Sequence, residues 1–274
     1  MQTPPLMTDR PALLRQRTRA TAFFLHDEVI TEVQERLAEV NRTFTAPAIV
    51  TGFPALWQNV MHAARFVADE DVLALNPGAH DLVVHALALH WANDPVGQLV
   101  QCRRALAPDG LFLALMFGGQ TLAELRAALA EAEVAVTGGL SPRVLPMGEI
   151  RDLGGLLQRA GFALPVADSF TKTVRYRDAF HLMRDLRAMG EGNALMARPR
   201  HATRRAVVAE ATRRYGDAYG DGATIPATFE IICLTGWGPA DSQPQPLRPG
   251  SATQRLADAL GSAEMPLPAT KRSG

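Results

Sequence analysis

The sequence predicts an α/β fold with a mostly parallel sheet. Three observations carry this. Residues 81–89 form an apolar, β-rich run (Asp-Leu-Val-Val-His-Ala-Leu-Ala-Leu). Asp94-Pro95 then opens a helix, and that helix leads into a second apolar run at 111–117. Strand, helix, strand is the unit of a parallel sheet, because parallel neighbours need a crossover between them. The third observation is the same order upstream, from an apolar run at 47–52 to a short one at 65–68. Strands covered on both faces read as continuous apolar stretches, and these do.

Taken in order, residues 11–42 have the spacing of a helix, with Leu13, Phe23, Leu25, Val29, Val33 and Leu37 recurring between charges. Residues 47–52 are a buried strand ending in Gly52, 54–66 a helix, and 65–68 a short strand ending at Asp69. At 94–95, Asp accepts from orphan backbone N–H groups and Pro suits the first helical turn. Pro108-Asp109-Gly110 is a turn signal. Thr121 and Glu124 have capping-box spacing. Helices follow at 149–160, from Asp178 through Met189, and at 200–216. Strand pieces lie at 162–166 and 171–176, with a last strand at 227–237. The last strands lack the βα alternation and suit an antiparallel edge. The chain divides into a helical arm (1–45), an α/β domain (46–237) and a Pro-, Gln- and Ser-rich tail (238–274) expected to be flexible.

Composition narrows the function. Basic and acidic residues balance at 28 each, which disfavours nucleic acid or an anionic membrane as a partner. No apolar run reaches the ~20 residues of a membrane span. Cys102 and Cys233 are far apart, with no metal-binding spacing. His85 and His90 fall on opposite faces of one strand by alternation, so no metal is expected. The N-terminus carries Arg10, Arg15, Arg17 and Arg19 but has no apolar signal core, and Asp9 interrupts the basic run. A cytoplasmic, bacterial protein is expected.

Several segments act as a set. They are Leu-His-Trp-Ala-Asn-Asp at 89–94, Pro-Asp-Gly-Leu-Phe-Leu-Ala-Leu-Met-Phe-Gly-Gly at 108–119, and Thr-Leu-Ala-Glu-Leu-Arg at 121–126. Gly-Gly-Leu-Ser-Pro at 138–142, Asp-Leu-Gly-Gly-Leu-Leu-Gln-Arg-Ala-Gly-Phe at 152–162 and Met-Gly-Glu-Gly-Asn at 189–193 belong with them. Together they resemble the S-adenosylmethionine-dependent methyltransferase superfamily, on its branch of respiratory complex I assembly factors described as protein-arginine hydroxylases. The resemblance covers most of residues 10–252. It implies a Rossmann-like sheet of seven strands with an antiparallel edge, S-adenosylmethionine as cofactor, and a protein partner such as a subunit of the respiratory NADH dehydrogenase.

This sequence departs from the superfamily at the cofactor loop. Members have an acid and two or three glycines after the first strand, which let backbone amides approach the cofactor. Here Thr51-Gly52-Phe53-Pro54 offers one glycine and a proline. Only residues 53–68 separate Gly52 from Asp69, and a βαβ unit takes roughly 30 residues. One early βα unit is therefore expected to be missing, with its ribose-binding carboxylate.

The resemblance places the cofactor near Thr51, Gly52, Asp69, Glu70, His90 and Trp91. Asp69 fits an acceptor for the adenine amino group or a solvated loop acid. His90 and Trp91 sit past the carboxyl end of a central strand, where ligands bind in open α/β sheets. Trp91 also suits a core anchor, and His90 a helix cap or a weakly supported catalytic base. Met116, Phe117, Gly118 and Gly119 end the next strand, and the glycines suit either close approach of a substrate backbone or a tight turn. Two functions stay open: an enzyme acting by methyl transfer or arginine hydroxylation, and a non-catalytic assembly scaffold that no longer binds the cofactor.

Overall fold

The computed structural model describes residues 6–243 and Gly261. The order of elements is α1 (Arg10–Arg17), α2 (Phe24–Glu39), β1 (Pro47–Thr51), α3 (Pro54–Gln58), β2 (Arg65–Val67) and β3 (His80–Ala86). A 3-10 turn (Leu89–Trp91) leads to α4 (Pro95–Ala105), β4 (Leu106–Phe117), α5 (Ala123–Thr137), α6 (Ile150–Ala160), β5 (Ala163–Tyr176), α7 (Ala179–Ala188), α8 (Arg205–Tyr219) and β6 (Ile225–Trp237). The fold is α/β. Its sheet has six strands in the order β2-β1-β3-β4-β6-β5, one fewer than the resemblance implies. β1 to β4 are parallel, and β6 runs antiparallel between β4 and β5. The chain moves outward from β1 to β2, then returns to the other side of β1 for β3. The strand order therefore reverses between β1 and β3, the place where open α/β sheets bind ligands at the strands' carboxyl ends.

Alternation along the strands sorts two apolar layers. Leu82, Val84, Ala86, Leu111, Leu113, Leu115 and Phe117 face α2, α5, α7 and α8. Val83, Phe112, Ala114 and Met116 face α4 and α6. A satellite core joins Ala12 and Leu13 of α1 to Trp91, Leu145, Ala194 and Leu195.

Local chemistry explains most differences from the sequence reading. The expected helix over 11–42 is two helices. Thr18, Arg19 and Ala20 N–H still donate to α1 carbonyls, but Thr21 and Ala22 N–H donate to the Ala188 carbonyl at 2.7 and 3.0 Å, which breaks the helix there. The helix expected over 54–66 shrinks to α3, because the crossover must bring β2 back beside β1 within a dozen residues. Pro108-Asp109-Gly110 does not end the pairing. It forms a bulge inside β4, marked by a register shift and φ 60° at Asp109. The capping box at Thr121 is not made. Thr121 Oγ1 exchanges two 3.0 Å bonds with the Glu230 backbone instead. The two strand pieces at 162–176 are one strand, β5, continuous along β6. The tail expected at 238–274 lies outside the described residues from 244 on, Gly261 apart.

Candidate functional site

Two places lie at the carboxyl ends of the parallel strands. The first is over β1 and β2. Gly52 follows β1, and a Cβ built on it would lie 2.5 Å from Arg17 Nη1, 2.6 Å from Cζ and 2.8 Å from Nε. The guanidinium of α1 thus rests on the glycine itself. Arg17 Nη1 donates to both oxygens of Asp69 at 2.8 and 2.9 Å, and Arg10 Nη1 donates to Oδ2 at 3.0 Å. The Arg17 and Asp69 side chains are each 3% exposed. The guanidinium carbon is 5.9 Å from the centre of the Phe53 ring, within cation–π range. Nε and Nη2 of Arg17 are buried without a partner. Burial alone would raise the Asp69 carboxyl, but the charges of Arg17 and Arg10 outweigh it and hold the group below its usual range.

The second place is over β3 and β4. A cavity of about 760 Å³ opens there, walled by Trp91, Phe117, Leu125, Met147, Leu186 and Phe229. Glu191 lines it and accepts from Trp91 Nε1 at 2.8 Å, with His90 Nε2 3.7 Å from the same oxygen. Burial pushes the Glu191 carboxyl up, yet His90, Arg17 and Trp91 together bring it below the usual value. His90 also packs on Phe117, ring centres 4.7 Å apart. Exposed Arg19, Arg184 and Arg187 border the cavity, and none of the three makes an ion pair among the described residues. Arg143 borders it too but is committed to Glu133, with Nη2 at 2.6 Å from Oε1 and Nε at 3.0 Å from Oε2. Ser141 N–H and Oγ add two bonds to the same carboxylate. Arg143 is the main cause that lowers Glu133 to about 2. This cluster ties the 138–149 segment to α5.

The residues singled out from sequence divide between these places. Gly52 and Asp69 meet at the first, joined by Arg17. Thr51 is buried at the end of β1, where its Oγ1 accepts from Phe53 N–H at 3.1 Å. Glu70 is exposed, and only its carbonyl is engaged, by Gln98 Nε2 at 2.9 Å. Trp91 and Phe117 line the second place, and His90 reaches it through Glu191. Met116 points to the other layer, against α4 and α6. Gly118 and Gly119 are crowded by the chain's own acids. A Cβ on Gly118 would meet Glu230 Oε2 at 2.5 Å, and one on Gly119 would meet a Glu149 oxygen closer still. The close approach at these glycines is thus made by Glu230 and Glu149. His85, also buried, bonds Gln98 Oε1 through Nε2 at 2.9 Å.

Arg17 and Glu191 are the residues that sequence reasoning left without a role. Arg17 is one of several arginines near the start, with no spacing to set it apart. Glu191 stands in the Met-Gly-Glu-Gly-Asn segment, where the signal was present.

The first place does not fit S-adenosylmethionine. The surface over Gly52, which backbone-to-cofactor contact needs, is under a guanidinium, and Asp69, just past β2, already accepts three hydrogen bonds from two arginines.

A methyltransferase-domain family model matches residues 18–114. The chain is similar to the mitochondrial arginine-hydroxylase NDUFAF5 of Dictyostelium discoideum, 42% identical over 185 residues, 67% of this chain and 42% of that one. It is 40% identical to the mitochondrial arginine-hydroxylase NDUFAF5 of Homo sapiens over 208 residues, 76% of this chain and 60% of that one. A malonyl-[acyl-carrier protein] O-methyltransferase of Halorhodospira halophila is 34% identical over 205 residues, 74% of this chain and 67% of that one. The chain spans about half the length of the NDUFAF5 relatives. These relatives also correct the expected location. They are mitochondrial proteins of eukaryotes, so the bacterial cytoplasmic reading drawn from the N-terminus is overturned. Among the described residues no helix is long and apolar enough to cross a membrane.

Proposed function

Since this chain belongs to the S-adenosylmethionine-dependent methyltransferase superfamily, we propose that it acts on a protein partner during assembly of respiratory complex I. The single observation that carries this reading is convergence. The segments resembling the assembly-factor branch, at 89–94, 108–119, 121–126 and 189–193, span about a hundred positions of sequence. They meet around one cavity, to which they contribute Trp91, Phe117, Thr121, Leu125, Met189 and Glu191. A cavity of about 760 Å³ is large enough for several side chains of a partner segment.

Its walls are apolar, so an inserted side chain is desolvated and held by contact area. Glu191 gives it one fixed negative charge, oriented by the Trp91 N–H and by His90. Glu191 suits the guanidinium of an arginine on a respiratory subunit, and in this reading the chain holds that arginine during assembly. Hydroxylation there would draw its oxygen from an external oxidant, and methyl addition would need a donor that the closed place over β1 and β2 does not seat.

The test is co-expression with an iron–sulfur subunit of the respiratory NADH dehydrogenase, followed by peptide mass spectrometry. Co-purification of the subunit with this chain, or an arginine heavier by about 16 Da, supports the reading. A subunit neither retained nor modified, together with complex I levels that do not change when this chain is deleted, overturns it. Glu191→Gln is expected to weaken retention of the subunit while leaving the fold intact, since the isosteric amide keeps the side chain's size and can still accept from Trp91.

A further inference from the structure

We infer that Arg17 is an internal occupant of the cofactor end of the sheet and that it keeps S-adenosylmethionine out of this chain. The inference concerns the cofactor place over β1 and β2 and goes beyond the assembly reading, which concerns the cavity over β3 and β4.

Space comes first. An ideal Cβ on Gly52 would stand 2.5–2.8 Å from three atoms of the Arg17 guanidinium group, closer than real contacts allow. A glycine whose missing side chain is already replaced by a neighbour's charged group offers no open backbone to a ligand. The one surface that the degenerate loop still has is covered.

Charge comes second. S-adenosylmethionine carries a sulfonium cation. Arg17 puts a cation on the same ground, and among the described residues Asp69 is the carboxylate it pairs with. Both oxygens of Asp69 already accept from Arg17, and Oδ2 accepts again from Arg10. A second cation would meet like charge in a buried setting, where Coulomb repulsion is poorly screened.

Anchoring comes third. The backbone that carries Arg17 is fixed, because α1 is fastened along its length, and the guanidinium itself is held by Asp69. Leu13 is fully buried against Trp91, Leu145 and Leu195. Asp9 holds Arg198 at 2.9 Å and Arg200 at 2.7 Å. Met7 and Thr8 N–H both donate to Asn93 Oδ1, at 2.9 and 2.8 Å. Thr8 also bridges to Leu195. These contacts make the guanidinium a fixed part of the fold.

Calorimetric titration with S-adenosylmethionine, and with S-adenosylhomocysteine, which lacks the sulfonium charge, tests this on the full chain and its variants. The wild-type chain is expected to give a flat titration, as is Arg10→Ala, which leaves Gly52 covered. Arg17→Ala is expected to gain saturable 1:1 binding, about tenfold or more tighter than any wild-type signal, because the binding-competent state is no longer masked. Circular dichroism confirms that each variant is folded. Should Arg17→Ala fail to fold, the charge-balanced Arg17→Ala/Asp69→Asn variant carries the same expectation, since both buried charges leave together. Saturable binding by the wild type overturns the inference, and so does a folded Arg17 variant that stays flat. A wild type that binds the cofactor leaves the assembly reading standing. A respiratory subunit neither retained nor modified, with complex I unchanged, ends that reading and leaves this inference untouched.

Discussion

The carboxyl ends of β1 and β2 and those of β3 and β4 belong to one sheet and obey one topological rule, yet they end differently. Over β1 and β2 an arginine and an aspartate fill the ligand place with charge against charge. Over β3 and β4 the chain leaves a cavity of about 760 Å³ with apolar walls. The short crossover at 53–64 and the anchored α1 account for the first. The second follows from the long excursions after β4 and α7, which rise above the sheet and enclose space. The comparison teaches that a shared fold keeps the position of a site but not its occupancy, which local chain length decides.

The largest effect expected is at the closed end. Asp69→Ala leaves the buried guanidinium of Arg17 without its carboxylate, a loss of about 3–5 kcal/mol by the general behaviour of broken buried pairs. Urea unfolding measures it. A loss under about 1 kcal/mol would mean that the closed end is not held by this pair, and the contrast with the cavity would weaken.

Acid comes next. His85 and His26 are held neutral by burial, each lowered to about 4 from the ordinary 6.5. For both, burial is the largest cause. Between pH 6.5 and 4 the unfolded chain binds protons that the folded chain refuses, so stability falls as pH falls through that window. From pH 7 to 5 the expected loss is about 2 kcal/mol for each histidine. Urea midpoints across this range check it, and His85→Gln is expected to flatten part of the slope. An unchanged slope would show that His85 does not titrate on unfolding.

The parallel order, the helix at Asp94-Pro95 and the antiparallel edge were legible in the sequence because each has a local cause. Apolar runs bury on both faces, Asp94 accepts from Gly97 N–H at 2.8 Å, and β6 lacks a crossover partner. The missing strand was legible too, as too few residues between Gly52 and Asp69. What fills that gap was not. Arg17 and Asp69 are 52 positions apart, and nothing local marks one arginine among Arg10, Arg15, Arg17 and Arg19 as the buried one. The split between α1 and α2 was hidden for the same reason, since it depends on the distant Ala188 carbonyl. At Gly118 and Gly119 the reading saw that something approaches closely, but not that it is Glu230 and Glu149.

At the border of the cavity, Glu133→Gln removes the carboxylate that holds Arg143 and Ser141. Hydrogen bonds to charged groups contribute about 1.5–3 kcal/mol each at best, and the Arg143 side chain is partly exposed, so a loss of about 1–2 kcal/mol is expected. The lowered Glu133 carboxyl contributes stability above its ordinary value of 4.5, and that contribution is lost as pH falls toward 2. Its signature is separate from that of the histidines, which are already charged in the unfolded chain at that pH. An acid limb that Glu133→Gln leaves unaltered below pH 4.5 would remove this cluster from the account.

The smallest expected effect on stability is the sharpest test of the open end. Arg184 and Arg187 are exposed, border the cavity and make no ion pair among the described residues. Replacing either with Ala is expected to change stability by no more than about 0.5 kcal/mol, as for surface positions without special contacts. Contact with a partner is the role that the proposed function gives them. A side chain entering the cavity brings its backbone carbonyls, and any acidic neighbours, to the border where these guanidinium groups stand. Arg184→Ala/Arg187→Ala is therefore expected to weaken retention of the respiratory subunit in pull-down at low salt and to reduce the salt dependence of that retention. Equal loss of stability and of retention would assign both arginines to the fold, and the difference between the closed and the open place would then be one of shape alone.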